Sequence, residues 1–121
     1  IVSAALGDAM NITSANLAYG QNEFTAAGLE MADCNTVSVP RVAAAPAALE
    51  CKLWKVIDLP KPETGSAGVM VIGTITGIHI ADETVLDGKI DVTSYQPLAR
   101  LGYMDYARIS DVFAMARPDV K

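Results

Sequence analysis

The sequence has 121 residues, a length typical of one domain with one hydrophobic core, so a second domain is not expected. Its 9 Lys and Arg residues against 14 Asp and Glu residues give a formal net charge of −5. Such an acidic balance argues against nucleic acid and against anionic membranes as main partners. Apolar residues make up 51% of the chain and aromatic residues 6%, which is typical of a globular protein and not of a disordered one. The apolar runs are too short to span a bilayer.

The first part of the chain predicts two helices. From Ser3 to Leu17 the apolar residues recur at helical spacing, and Gly20 stands where a left-handed residue would end the helix. Asn22, a good N-cap, begins a shorter helix that ends at Gly28. The stretch Thr36–Val39 alternates weakly before a proline, which predicts either a short edge strand or an extended loop.

The middle of the chain predicts a long antiparallel hairpin. Leu49–Leu59 alternates in the way of a strand with one buried face, and Gly68–Ile80 gives a second long strand after a turn rich in Pro and Gly. Gly73 and Gly77 inside that strand predict a bulge or sharp coiling. With helices confined mainly to one end, the fold class is α+β and mainly antiparallel β, either a β-barrel or a strongly coiled sheet.

The last part of the chain predicts only short elements. The hairpin is followed by a polar loop with a short extended piece, "ADETVLDGKIDV", and then by a single helical turn in "VTSYQPLA". Two short strands are predicted at Tyr103–Arg108 and Val112–Ala116. No internal repeat and no low-complexity segment interrupts the chain.

Familiar catalytic and metal-binding motifs are missing from the sequence. The glycines of "GSAGVMVIG" precede a strand, whereas a dinucleotide fingerprint follows one. The stretch "DETVLDGKIDV" fails at the ligand positions of a calcium loop. His79 is the only histidine, and its place in a β run favours a half-buried, hydrogen-bonded residue over a catalytic one. Trp54 is assigned to the core or to a subunit interface. No metal site is therefore predicted.

The two cysteines, Cys34 and Cys51, are spaced too widely for a CxxC redox motif and lack the further ligands of a zinc site. A disulfide between them stays open as an alternative, but the sequence favours two reduced, buried thiols. This interpretation predicts a cytoplasmic protein.

The segment "RLGYMDY" near the end of the chain allows two interpretations. In the first, Gly102 permits a bulge, Arg100 pairs with a surface acid such as Asp105, and the tyrosines pack. In the second, Arg100 offers a fork of donors and Tyr106 a ring and a hydroxyl to a planar, anionic or phosphorylated ligand. This second interpretation predicts that Arg100 faces a ligand cavity, that Gly102 adopts a backbone conformation that a β-carbon would oppose, and that Tyr106 lies within reach of the same cavity. Residue chemistry alone leaves both open.

Several stretches, in order along the chain, resemble a known family. The most specific are "NEFTAAGL", "PAALEC" and "RLGYMDYA", and "VIGTITGIHI" and "VLDGKIDV" accompany them. From about Asp8 to Pro118 the sequence resembles the later part of the flavin reductase-like, FMN-binding split β-barrel family, in its branch of short flavoproteins. The resemblance implies that residues 1–121 are the C-terminal portion of a single flavin reductase-like domain, a split β-barrel whose N-terminal strands are missing.

The resemblance also implies the ligands and the binding site. Members of this family form homodimers with FMN at the subunit interface, and NAD(P)H is the expected electron donor. By position, the resemblance carries cofactor-binding roles to five residues of this chain: Asn11, Ser14, Arg100, Gly102 and Tyr106. It assigns no catalytic residue, because a flavin supplies the hydride chemistry itself.

Three functions are consistent with this resemblance. The first is an FMN-dependent oxidoreductase that passes electrons from NAD(P)H to free flavin, a metal or another acceptor. The second is a non-catalytic FMN-binding module. The third is an inactive fragment that lacks the upstream FMN-binding half. The sequence leaves open the acceptor and the choice between NADH and NADPH.

Overall fold

The structure is a computed structural model and describes residues 1–119. The elements are a 3₁₀ turn (Ala4–Leu6), helices α1 (Gly7–Thr13) and α2 (Glu23–Ala27), strands β1 (Met31–Ala32), β2 (Arg41–Val42), β3 (Ala47–Asp58) and β4 (Val69–Ile80), a second 3₁₀ turn (Asp82–Thr84), and strands β5 (Val85–Leu86), β6 (Lys89–Ile90), β7 (Leu98–Arg100) and β8 (Tyr106–Arg108). The strands pair in chain order as four antiparallel, two-stranded sheets. Within residues 1–119 no helix has the length and apolar character needed to cross a membrane.

The second helix forms as predicted, whereas the first is shorter than predicted. The side chain of Asn22 accepts a hydrogen bond from the backbone N–H of Phe24 at 2.8 Å, and Gly28 ends α2 with a left-handed φ of 64°. Helix α1 ends at Thr13, because the Ser14 hydroxyl donates to the carbonyl of Asn11 at 2.7 Å and the chain then leaves the helix. The prediction of a helix reaching Leu17 was therefore wrong.

The long hairpin of β3 and β4 is confirmed, and so is its irregularity. The pairing register shifts twice, leaving Thr76 of β4 and Trp54 of β3 without an opposite residue, beside Gly77 and Gly73 respectively. At Gly73 an added Cβ would lie 2.9 Å from the Cβ of Cys51, which is closer than real side chains approach. A residue with a side chain would therefore clash with Cys51 at this position unless the two strands moved apart.

The segment around β7 differs from its prediction. The N–H of Gln96 donates to the carbonyl of Val92 at 2.9 Å, which closes one turn. Gln96 then adopts a left-handed φ of 47° before Pro97. The residue before a proline is disfavoured in a helix, so the predicted helical turn stops and strand β7 begins. Strand β7 pairs with β8, and the sequence pattern had not indicated it.

Three further segments were predicted as strands or as possible strands, and the structure forms a strand in part of one of them. Thr36–Val39 is a loop and not an edge strand, and it lies between the short paired strands β1 and β2. Strand β8 begins at Tyr106, because the chain turns at Tyr103 with a left-handed φ of 56°. Val112–Ala116 is not a strand, since within the described chain it pairs with no neighbouring segment.

The interior is smaller than the composition predicts. Ala45, Pro46 and Ala47 are the buried apolar residues of the part of the chain that the structure describes, whereas Leu53 and Trp54 are each 68% exposed. The alternating pattern of β3 therefore does not produce a buried apolar face within residues 1–119. Trp54 is not a core residue. Its assignment to a subunit interface stays a prediction.

A buried carboxylate ties the loop before β2 to the long hairpin. Glu50 is 4% exposed and accepts hydrogen bonds from the backbone N–H groups of Asn35 at 3.0 Å and Thr36 at 2.6 Å, and from the Thr36 hydroxyl at 2.7 Å. The backbone hydrogen bond from Asn35, followed by those from Thr36, holds the pKa of Glu50 below its usual value. The Thr36 hydroxyl also lies 2.6 Å from the hydroxyl of Thr76 at the first bulge.

Both cysteines are free thiols. They are not buried as predicted, since Cys51 is exposed and Cys34 is half-buried. Desolvation raises the pKa of the Cys34 thiol, and the negative charge of Glu50 adds to that effect.

Candidate functional site

A pocket of about 340 Å³ lies between helix α1 and the hairpin of β7 and β8. We call it the α1–β8 pocket. It is lined by Ala4, Gly7, Asp8, Met10, Asn11, Leu98, Met104, Tyr106 and Arg108. The lining combines apolar side chains with one amide, one carboxylate, one phenol and one guanidinium, which is the mixture that small-molecule sites commonly present.

Backbone hydrogen bonds hold the two walls of the pocket together. Ser3 forms a β-bridge with Pro97, the N–H of Leu98 donates to the carbonyl of Val2 at 3.0 Å, and the N–H of Ala4 donates to the carbonyl of Gln96 at 3.0 Å. These bonds fix the start of α1 against β7. Helix α1 and strand β7, which are distant in sequence, therefore lie on opposite sides of the α1–β8 pocket.

Gly7 allows the close approach of α1 to β7. A Cβ added at Gly7 would lie 3.0 Å from Cδ1 of Leu98, tighter than nearly all real contacts of that kind. Both residues line the pocket. A larger residue at position 7 would therefore push Leu98 and change the shape of the space.

Two of the predicted site residues meet in this pocket. Asn11 comes from the last turn of α1, and Tyr106 is the first residue of β8. The hydroxyl of Tyr106 lies 4.0 Å from Sδ of Met10, so the ring reaches back to the helix. The structure thus brings Asn11 and Tyr106 together, although their role in binding a cofactor stays a prediction.

Arg100 lies beside the pocket and does not line it. Its guanidinium sits over the ring of Tyr106, 4.7 Å from the ring centroid, and donates to the carbonyl of Tyr103. We expected Arg100 to face the ligand cavity, but its side chain is exposed. Its contacts involve two tyrosines and not Asp105, the acid that the sequence offered as a partner.

The remaining two predicted residues lie outside the lining. Ser14 is exposed, and its hydroxyl donates to the Asn11 carbonyl. Gly102 has no left-handed φ, and an added Cβ would meet nothing within 4 Å. The expectation that Gly102 adopts a conformation that a side chain would oppose was therefore wrong, and the left-handed position of this turn is Tyr103.

Arg108, Asp8 and Met104 line the pocket but are not among the site residues predicted from the sequence. Arg108 could have been predicted from its distance to Tyr106 along the strand, because residues two apart in a strand share a face. Asp8 and Met104 could not, since their proximity depends on how α1 meets the turn between β7 and β8.

The chemistry of the lining suits a flavin in part. Met10, Leu98 and Met104 offer apolar contact to a planar ring system, and the Asn11 amide can both donate to and accept from the polar edge of such a ring. Arg108 is the cationic side chain in the lining and suits an anionic oxygen. Asp8 would repel a phosphate group, so a phosphate is expected on the Arg108 side of the pocket.

No group of three His, Cys, Asp or Glu side chains that could hold a metal ion occurs within residues 1–119.

Solved structures with a similar fold include a component of a monooxygenase and a nitroreductase. Nitrilotriacetate monooxygenase component B from Bacillus cereus has 30% sequence identity and a TM-score of 0.84, over 95% of this chain and 57% of its own. The 2-nitrobenzoate 2-nitroreductase NbaA from Pseudomonas fluorescens has 28% identity and a TM-score of 0.78, over 98% of this chain and 57% of its own. A split barrel domain protein from Shewanella frigidimarina has 22% identity and a TM-score of 0.78, over 97% and 58%.

The chain is flavin reductase-like in fold. The structural neighbours support the resemblance that the sequence indicated at the level of the fold. No protein-family model matches the sequence.

Curated relatives align with nearly the whole of this chain, and their names give no activity. An uncharacterized protein from Deinococcus radiodurans is 31% identical over 97% of this chain, and the uncharacterized protein BH2278 from Halalkalibacterium halodurans is 31% identical over 93%. The uncharacterized protein YwrF from Bacillus subtilis is 30% identical over 94%. The chain spans 51%, 54% and 57% of these relatives, which is about half of their length.

Proposed function

We propose that this chain is the C-terminal portion of an FMN-dependent, flavin reductase-like oxidoreductase of the short flavoprotein branch. It passes electrons from NAD(P)H through FMN to an acceptor. The observation that carries this proposal is the meeting of Asn11, Tyr106 and Arg108 at one pocket of a flavin reductase-like fold. The activities named for its structural neighbours, a nitroreductase and a monooxygenase component, are of the same redox class.

The side chains of the α1–β8 pocket have separate roles in this proposal. Met10, Leu98 and Met104 would offer apolar contact to the ring of a bound flavin. Asn11 hydrogen-bonds to the polar edge of the ring, and Arg108 holds an anionic oxygen. Arg100 acts through Tyr106, because it stacks on that ring and lies outside the lining. When bound, the flavin supplies the hydride chemistry.

The second part of the proposal concerns assembly and location. We propose a homodimer, because the exposed apolar residues of the long hairpin, among them Trp54 at 68% and Val71 at 65%, need a covering surface. The two free thiols support a reducing compartment, so we propose a cytoplasmic protein.

Anaerobic reduction tests the oxidoreductase proposal. The protein is loaded with FMN, freed of excess cofactor, and mixed with NADH or NADPH under anaerobic conditions while the visible flavin band is recorded. The proposal predicts that the band is bleached by one of the two nucleotides. A flavin band that stays unchanged with both would replace the oxidoreductase with a non-catalytic FMN-binding module, and failure to retain FMN would identify an inactive fragment.

A further inference from the structure

A second pocket lies apart from the α1–β8 pocket and shares no lining residue with it. We call it the His79 pocket. Its volume is about 420 Å³, within the range typical of small-molecule sites. Its lining includes His79, Glu83, Thr84, Ser94, Tyr95 and the small residues 43–46. None of these residues belongs to the flavin site proposed above.

The His79 pocket is built on the best-buried part of the described chain. Four of its lining residues, Ser3, Ala45, Pro46 and Thr84, are buried, although most of the chain is exposed. The N–H of Ala81 donates to the carbonyl of Pro46 at 2.9 Å, which ties the end of β4 to the segment before β3. The walls are therefore held in place before any ligand binds.

Two hydroxyls of the lining can only accept hydrogen bonds from a ligand. The Thr84 hydroxyl donates its proton to the carbonyl of Ala81 at 2.7 Å, and the Ser94 hydroxyl donates to the carbonyl of Asp91 at 2.7 Å. Because a hydroxyl has one proton, both oxygens present lone pairs to the space around them. The carboxylate of Glu83 adds a third acceptor to the lining.

The charge of the lining excludes one class of ligand. Glu83 is the carboxylate that borders the pocket, whereas the nearby carboxylate of Asp91 already accepts from the N–H of Thr93 at 2.9 Å and from its hydroxyl at 2.6 Å. No lysine or arginine lines the pocket in the described chain. An anionic ligand would meet the Glu83 charge without a cationic partner, whereas a cationic donor would gain a charge-assisted hydrogen bond.

We propose that the His79 pocket binds a small primary alkylammonium ion. The charged head lies among Glu83, Thr84 and Ser94, whose oxygens accept its three protons. The apolar stem lies against the alanines of segment 43–46, which have no polar side-chain atoms. Because His79 borders the same space, a bound ion changes the surroundings of its imidazole ring.

Titration with n-butylammonium chloride tests this proposal at constant ionic strength. His79 is the only histidine of the chain, so its ring signal in a proton–carbon NMR spectrum reports on the pocket directly. We expect a saturable shift of this signal. In Glu83→Gln the dissociation constant should rise by up to about fivefold, because an exposed ion pair is lost. Asp82→Asn removes a neighbouring carboxylate outside the lining and should leave the constant unchanged.

Matched probes decide whether charge is the reason for binding. Butyrate and 1-butanol carry the same stem as n-butylammonium, with a negative charge and no charge respectively. Binding of either as tightly as the ammonium would overturn the proposal, and so would equal losses in Glu83→Gln and Asp82→Asn or the absence of any saturable shift. None of these outcomes depends on flavin binding, so this site and the flavin site can fail independently.

Discussion

The guanidinium of Arg100 lies over the ring of Tyr106, with its Cζ atom 4.7 Å from the ring centroid. Tyr106 lines the α1–β8 pocket and Arg100 does not. The same guanidinium donates to the carbonyl of Tyr103, which occupies the left-handed position of the turn between β7 and β8. Arg100 therefore fixes the turn and the ring together, and it reaches a ligand only through Tyr106.

Replacing Arg100 by Ala should lower the free energy of unfolding by about 0.5–1 kcal/mol, the usual value of an exposed cation–π contact. The affinity for FMN should fall less than it does in Arg108→Ala, because Arg108 lines the pocket. Chemical denaturation and FMN titration of the two variants measure both effects. Loss of FMN binding in Arg100→Ala with normal binding in Arg108→Ala would restore Arg100 as the direct donor.

The buried carboxylate of Glu50 should make stability depend on pH. Its folded pKa is lowered by the hydrogen bonds from Asn35 and Thr36, so its stabilising effect is complete above the ordinary value of 4.5 and is lost as the pH falls through the lowered value. The thermal unfolding temperature of the wild type should therefore fall more steeply below about pH 4.5 than that of Glu50→Gln.

Glu63→Gln serves as the control for that comparison, because Glu63 is an exposed glutamate in the turn between β3 and β4. It should follow the wild type at every pH. Parallel pH profiles for the wild type and Glu50→Gln would contradict the role given to the Glu50 hydrogen bonds.

Gly73→Ala should destabilise the long hairpin. The new Cβ would lie 2.9 Å from the Cβ of Cys51, so the two strands must move apart, at a cost of about 1–3 kcal/mol. Gly68→Ala is the matched control, because its new Cβ would lie 3.5 Å from Cδ1 of Leu59 in ordinary contact. Equal unfolding free energies for the two variants would show that the close approach at Gly73 relaxes without cost.

The exposed hairpin should cause association between chains. Light scattering over a wide concentration range should give a mass above that of one chain, because large apolar side chains such as Leu53 are mostly exposed. Leu53→Lys should shift the protein toward the monomer, whereas Thr64→Lys, in the exposed turn, adds the same charge and should not. Monomeric behaviour of the wild type at all concentrations would contradict a homodimer.

The local elements of this fold could be predicted where a short-range signal decides them. Asn22 and Gly28 bound α2 because one supplies a side-chain acceptor and the other a left-handed residue. Gly73 and Gly77 mark the two bulges, because an added Cβ would lie 2.9 Å from the Cβ of Cys51 at Gly73 and 3.0 Å from a carboxylate oxygen of Glu50 at Gly77. Each of these residues acts on the backbone within a few positions of itself, so its effect can be predicted from the local sequence.

The core and the site depended on contacts between distant segments. Alternation along β3 predicted a buried face, but burial requires a partner layer, and residues such as Leu53 and Trp54 are mostly exposed in the described chain. Arg100 was chosen for its chemistry, which does not reveal that it stacks on Tyr106 and leaves the pocket to Arg108. Of the five residues to which the resemblance gave cofactor-binding roles, Asn11 and Tyr106 line the α1–β8 pocket, and their role in binding a cofactor stays a prediction.

FMN titration of the wild type and Arg108→Ala, followed by quenching of flavin fluorescence, tests the central claim that the α1–β8 pocket holds the flavin. Arg117→Ala is the matched control, since Arg117 is exposed and does not line the pocket. The account predicts saturable binding to the wild type, unchanged binding to Arg117→Ala, and an affinity at least about tenfold lower for Arg108→Ala, the usual effect of losing a charge-assisted hydrogen bond. Equal affinities in all three proteins, or no saturable binding to the wild type, would contradict it.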